Sequence, residues 1–207
     1  MKRTIGLSAL VAGALLSAGG ASAQASDNSG FMLNLHLAGN GITPLGEGTE
    51  AETGGGGGLA IGYGFNDRII LYLNVDAAAV EYDEDVTSAP DDTYDLVHGD
   101  LGVRVNFGHT GLKLRPYINA AFTGIAAAET YELVGEDVDQ IISGGGLTVG
   151  GGLQYFFSPK LALDLGLQAT QGAFTQVTID DEDEELGSED VTAFTTSRVQ
   201  LGVSWHP

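Results

Sequence analysis

The chain has 207 residues, of which 28 are acidic and eight basic, giving a formal net charge of −20, and it carries no cysteine. So acidic a surface is a poor partner for nucleic acid, and without thiols the protein holds neither disulfides nor a lipid-modified cysteine. No segment after the first two dozen residues could form a membrane helix, which excludes a helix-spanning protein and leaves a β-barrel open, because a barrel spreads its membrane signal over short alternating strands.

The N-terminus reads as an export signal. Lys2 and Arg3 precede an apolar stretch from Leu7 to Ala18, and small residues then lead to Ala21-Ser22-Ala23. That order of basic, apolar and small-residue regions predicts a secretory signal peptide over 1–23, and the apolar run is too short to span a bilayer. The remainder, 24–207, is long enough for one domain and does not require two.

Period-two alternation runs through the mature chain. Phe31, Leu33, Leu35 and Leu37 alternate with Met32, Asn34, His36 and Ala38. Leu59, Ile61, Tyr63 and Phe65 alternate with Gly58, Ala60, Gly62 and Gly64, and Ile69, Leu71, Leu73 and Val75 with Ile70, Tyr72, Asn74 and Asp76. Leu101, Val103, Val105 and Phe107 are set against Asp100, Gly102, Arg104 and Asn106. In the second half, Leu114, Ile118, Ala120 and Phe122 face away from Arg115, Tyr117, Asn119, Ala121 and Thr123. Leu147, Val149, Leu153, Tyr155 and Phe157 oppose Thr148, Gly150, Gly152, Gln154 and Phe156. Leu161, Leu163, Leu165 and Leu167 then oppose Ala162, Asp164, Gly166 and Gln168, and Val199, Leu201, Val203 and Trp205 oppose Arg198, Gln200, Gly202 and Ser204. Alternation of this length predicts eight strands, each with one uniformly apolar face.

The connections alternate between short and long. Asn66-Asp67, Gly108 to Gly111 and Ser158-Pro159-Lys160 are tight turns, whereas 39–55, 80–93, 127–143 and 173–191 are long and polar. Outer-membrane barrels have this asymmetry, with short periplasmic turns and longer extracellular loops. Phe65, Phe107, Tyr155, Phe157 and Trp205 gather beside the short turns, as one rim of an interfacial aromatic girdle would.

Charge separates the two faces. A soluble sandwich or lipocalin-like barrel would also alternate, but its water-facing side would be rich in charged residues. Here the second face is mostly Gly, Ala, Asn, Gln and Ser, which suits the cramped interior of a narrow barrel with large neighbours such as Tyr72 and Tyr117. Of the 28 acidic residues, 22 fall in the four long segments, which hold no Lys or Arg. Arg68, Lys113 and Lys160 lie at the short-turn end. Arg104, Arg115 and Arg198 lie on inward positions with Asp76, Asp100 and Asp164, so a paired lumen charge network of these six residues is expected, since an unpaired buried charge is expensive.

Together these features predict an all-β protein, an eight-stranded antiparallel up-and-down transmembrane β-barrel over 24–207. The sequence resembles the OmpA/OmpX-type and opacity-protein group of outer-membrane barrels over essentially the whole mature chain. The resemblance rests on Gly62-Tyr63-Gly64-Phe65-Asn66-Asp67-Arg68, on Arg115-Pro116-Tyr117 and on the alternating terminal strand. It implies residence in outer-membrane lipid beside lipopolysaccharide, as a monomer. It also implies that the barrel-assembly machinery reads the terminal strand ending at Trp205, here followed by His206 and Pro207.

Function is less determined, because fold does not imply it. His36 and His98 point inward, His109 is in a short turn and His206 is in the terminal tail, and none sits in a local Ser/His/acid signature. The expected role is therefore non-catalytic and structural or surface-interacting. A narrow channel or carrier for small or hydrophobic molecules, and a lipid A-modifying enzyme, remain as alternatives. No cofactor is expected. The Asp180 to Glu185 run, with Asp83-Glu84-Asp85 and Asp91-Asp92, offers hard oxygen ligands, and Asp180, Asp181 and Asp183 are weak candidates for Ca²⁺ or Mg²⁺, but the run lacks the glycine-interrupted spacing of a calcium loop.

Overall fold

The computed structural model describes residues 28–44, 51–81, 93–109, 111–133, 136–179, 182–185 and 191–207. The signal-peptide region lies outside them. The strands are β1 (Gly30–Pro44), β2 (Glu52–Gly64), β3 (Ile69–Glu81), β4 (Thr93–Asn106), β5 (Leu114–Leu133), β6 (Glu136–Phe156), β7 (Leu161–Ile179), β8 (Glu182–Glu185) and β9 (Thr192–Trp205). All nine join in one antiparallel sheet, and because β1 pairs with β9 and β6 with β7, every strand but β8 belongs to a ring that closes on itself. The four-residue β8 pairs with β7 above the barrel.

Closure fixes the geometry. A path through paired residues from Ile70 to Arg104, Asn119, Gly150, Gln168, Arg198, Asn40 and Gly54 returns to β3 at Val80, ten residues beyond its start. Eight strands with that stagger, at about 3.3 Å per residue and about 4.8 Å between strands, tilt by about 41° and enclose a backbone cylinder of about 8 Å radius. Such a cylinder has room for side chains and little else.

The burial pattern is that of a soluble protein turned inside out. Among the described residues thirty-three large apolar side chains are exposed, Phe122 at 73% and Leu37 at 72% among them, whereas Arg198, Asp76 and Asp100 are at most 2% exposed. Removing one such side chain from water is worth about 1.5–3 kcal/mol, so leaving all of them wet would outweigh the stability of any domain this size. Only an apolar solvent around the barrel satisfies the outer face. Inside, polar groups meet one another.

Turn chemistry ties the strands at the narrow-turn end. Asn66 Oδ1 accepts from the N–H of Arg68 at 2.8 Å and of Ile69 at 3.0 Å, and Ser158 Oγ accepts from Lys160 N–H at 3.3 Å and Leu161 N–H at 3.0 Å. Short side-chain acceptors of this kind reverse the chain by replacing a backbone acceptor. The wider turn between β4 and β5 places Gly108 and Gly111 at φ of 99° and 94°, which side-chain-bearing residues rarely adopt.

At the other end the ladders continue further than the polar sequence suggests. An apolar band about 25 Å tall takes roughly ten residues of a strand at this tilt. β5 and β6 have 20 and 21 residues and pair as far as Leu133 with Glu136, and β7 pairs with β8 as far as Ile179 with Glu182. Much of 127–143 and 173–191 is thus β-ribbon rather than loop, because polar side chains do not prevent backbone groups from pairing. A register shift between Ser143 and Gly144 marks where β6 leaves the regular barrel.

Glycines make room for the lumen's large rings. Tyr72 pairs with Gly102 and Tyr117 with Gly152. A Cβ at Gly152 would stand 2.1 Å from the backbone oxygen of Leu165 and 2.5 Å from Tyr117 Oη, whereas one at outward-facing Gly39 would meet nothing within 4 Å. Gly152→Val is expected to cost about 1–3 kcal/mol through overpacking, while Gly39→Val should stay within about 0.5 kcal/mol of the parent. Urea unfolding of the refolded barrel, followed through Trp205, the sole tryptophan, measures both.

Candidate functional site: the charged lumen

Three arginines organise the interior, each in its own cluster. Arg198, on β9, reaches across the barrel to β3 and β4. Its Nη1 donates to Asp76 Oδ2 at 2.7 Å and Asp100 Oδ2 at 2.8 Å, and its Nη2 to Asp100 Oδ1 at 3.1 Å. Asn74 Nδ2 donates to both carboxylates, at 2.5 and 3.0 Å, and His36 Nε2 meets Asp76 Oδ1. Thr123 donates to Asp100 Oδ1 at 2.7 Å, so its oxygen is left to accept from Thr148 at 2.5 Å, and Thr148 to accept from Thr170 at 2.6 Å. One proton per hydroxyl aligns the chain toward the carboxylate.

Nearer the short turns, Asp164 is saturated. Its Oδ2 accepts from Arg104 Nη1 at 2.9 Å, Gln154 Nε2 at 3.0 Å and Ser204 Oγ at 3.1 Å, and its Oδ1 accepts from Tyr117 Oη at 2.7 Å. The Arg104 guanidinium also lies 3.9 Å above the Tyr117 ring, a cation–π arrangement that uses the flat face left free by the phenol's hydrogen bond. Strands β4, β5, β6, β7 and β9 all supply members of this cluster.

Arg115 departs from the six-residue expectation. It meets Asp67, in the β2–β3 turn, and none of Asp76, Asp100 or Asp164. The reason is height: Arg115 is the second residue of β5, beside the lip, and Asp67 folds back into the mouth, where its Oδ1 also accepts from Asn28 N–H at 3.1 Å. His206 likewise is no free tail. It is 3% exposed, its ring centroid is 5.7 Å from that of Phe156, and its N–H donates to Lys160 O at 2.7 Å.

Above the arginines the interior becomes apolar. Ile42, Val80, Tyr94, Leu96, Phe174 and Phe194 pack with Ile125 in one buried cluster, with the two phenylalanine rings 4.7 Å apart between centroids. These inward residues escape a reading by hydropathy alone, since apolar side chains also mark the lipid face. Strand parity, continued past Asp76 to Val80 and past His98 to Leu96 and Tyr94, would have placed them inside. The space left between Asn34, His36, Tyr72, Arg104 and Gln200 is about 10 Å³, room for about one water.

Of the metal candidates, Asp180 and Asp181 lie outside the described residues, as do Asp83, Glu84, Asp85, Asp91 and Asp92. Asp183 is on β8, its backbone paired with Thr178.

The family model of the outer membrane protein beta-barrel domain matches residues 11–206. The chain belongs to this family. It is an outer-membrane β-barrel, the class that the turn and strand motifs suggested. No curated protein matches it in sequence. Among solved structures it is similar to Neisserial surface protein A, with a TM-score of 0.58 at 18% identity over 86% of this chain and 97% of that one. It is also similar to OprG from Pseudomonas aeruginosa, with a TM-score of 0.56 at 13% identity over 87% and 97% of the two chains. A third is Ail, the attachment invasion locus protein of Yersinia pestis, with a TM-score of 0.51 at 16% identity over 86% and 99%. At these identities the likeness is one of fold.

Proposed function

We propose that the protein is a sealed, non-catalytic outer-membrane barrel whose working surface is its acidic extracellular end. The observation that carries this reading is the lumen, where three arginine clusters and an apolar cluster succeed one another between the two rims. Side chains of this size in a cylinder of about 8 Å radius leave little room for a solute path, which argues against the channel and carrier alternatives. The histidines weigh against lipid A modification: His36, His98 and His206 are at most 9% exposed, turned to the lumen rather than to the lipid-facing edge where such a substrate would lie. The 22 carboxylates of the long segments, without a cation among them, favour cationic partners and meet lipopolysaccharide phosphates only through divalent cations.

Planar-bilayer recording is the test. The refolded barrel should give no discrete conductance steps, and cells carrying it should show unaltered lipid A by mass spectrometry. Regular single-channel steps from the native barrel would replace this reading with the channel one.

A further inference from the structure

We propose that the periplasmic lip is a phosphate collar, in which Arg68, Lys113 and Lys160 select anionic phospholipids of the inner leaflet over zwitterionic ones. The three cations occupy one structural position repeated around the barrel. Each is the last residue of a short turn, immediately before β3, β5 or β7. Each has its backbone carbonyl tied to the neighbouring strand end, Arg68 O accepting from Asn106 N–H, Lys113 O from Phe156 N–H and Lys160 O from His206 N–H, all at 2.7 Å. The backbone is held while the side chains remain exposed.

Depth matches headgroups. The register pairs Ile69 with Val105, Leu114 with Tyr155 and Leu161 with Trp205, so each cation sits one residue beyond an outward apolar or aromatic row. One residue at this tilt is roughly 2.5 Å along the barrel axis, and although the three positions stand opposite inward-facing Asn106, Phe156 and His206, their side chains are exposed at the mouth, where a long cationic stem can curl over the lip to the phosphate level. Phe65, Phe107, Tyr155, Phe157 and Trp205 form the aromatic girdle, all at least 41% exposed.

The cations are also uncommitted. Among the described residues no carboxylate forms an ion pair with Arg68, Lys113 or Lys160. Asp67, adjacent to Arg68, is engaged by Arg115 and Asn28. A leaflet phosphate with net negative charge is the complement at this depth. A phosphatidylglycerol-type headgroup supplies one, whereas in a phosphatidylcholine headgroup the ammonium cancels it. A cation at an anionic lipid surface is worth about fivefold in local enrichment.

The experiment reconstitutes the full barrel in phosphatidylcholine vesicles with trace spin-labelled phosphatidylglycerol or phosphatidylcholine and measures the motionally restricted fraction. Phosphatidylglycerol should be favoured about tenfold or more at low ionic strength, less at about 0.5 M salt, where screening shortens to a few ångströms. The Arg68→Gln/Lys113→Gln/Lys160→Gln barrel should lose the preference while keeping its heat-modifiable mobility on gels. Lys113→Arg/Lys160→Arg, which preserves charge, should retain it and serves where the triple variant fails to fold: a preference lost in the charge-preserving barrel would overturn the collar. So would equal association of both lipids with the native barrel, or a preference that survives the triple substitution, as it would if these cations served an acidic periplasmic protein instead.

Discussion

Arg198→Met should lower the unfolding free energy of the refolded barrel by about 3–5 kcal/mol, the usual cost of removing one partner from a buried charge cluster. Methionine fills similar volume, so the loss is electrostatic rather than a cavity effect. Two carboxylates, Asp76 and Asp100, lose their shared guanidinium at 2.7 and 2.8 Å, and neither lies within reach of Arg104 or Arg115. Adding Asp76→Asn and Asp100→Asn to Arg198→Met should recover much of the loss, because neutral amides no longer require a cation. A loss below about 1 kcal/mol from Arg198→Met would be the behaviour of a surface pair and would mean that water reaches the lumen's middle.

Asp164→Ala is the second large effect. The carboxylate holds four donors, from Arg104, Tyr117, Gln154 and Ser204, and its removal strands a buried guanidinium together with three neutral groups. We expect about 3–5 kcal/mol here also, against about 0.5 kcal/mol or less for Glu81→Ala, which is exposed at the end of β3. Arg104→Met combined with Asp164→Ala should cost less than the sum of the two single changes, since the second removes a charge the first left unpaired. Strict additivity in urea titrations would show that the pair does not interact.

How much of this was legible beforehand follows from what each level of structure encodes. Period two assigns every barrel strand its two faces, and the sorting of charge decides which face meets lipid; both survive in the structure at residues as different as Leu37 and Asp100. The partner of Arg115 was not legible, because Asp67 belongs to a turn, and turns read as solvent-exposed until the fold brings one back over the barrel mouth. His206 was misplaced for a similar reason: two residues after Trp205 read as tail, yet strand parity carries His206 inward and Lys160 O holds its N–H. The ribbons above the barrel were hidden because backbone pairing leaves no mark on side-chain polarity. The ten-residue stagger was not legible either, since register arises from the closed ring as a whole.

The clusters join residues far apart in the chain: Arg198 lies 122 and 98 positions from Asp76 and Asp100, and Arg104 lies 60 from Asp164. Contacts of that span form late, after most of the chain is in place. Until β9 docks, Asp76 and Asp100 stand on a sheet with no cation, and such carboxylates are costly to bring into hydrocarbon. Incomplete sheets are therefore expected to be disfavoured in hydrocarbon until the last strand arrives. The barrier is their own unanswered charge, and the arrival of one arginine lifts it.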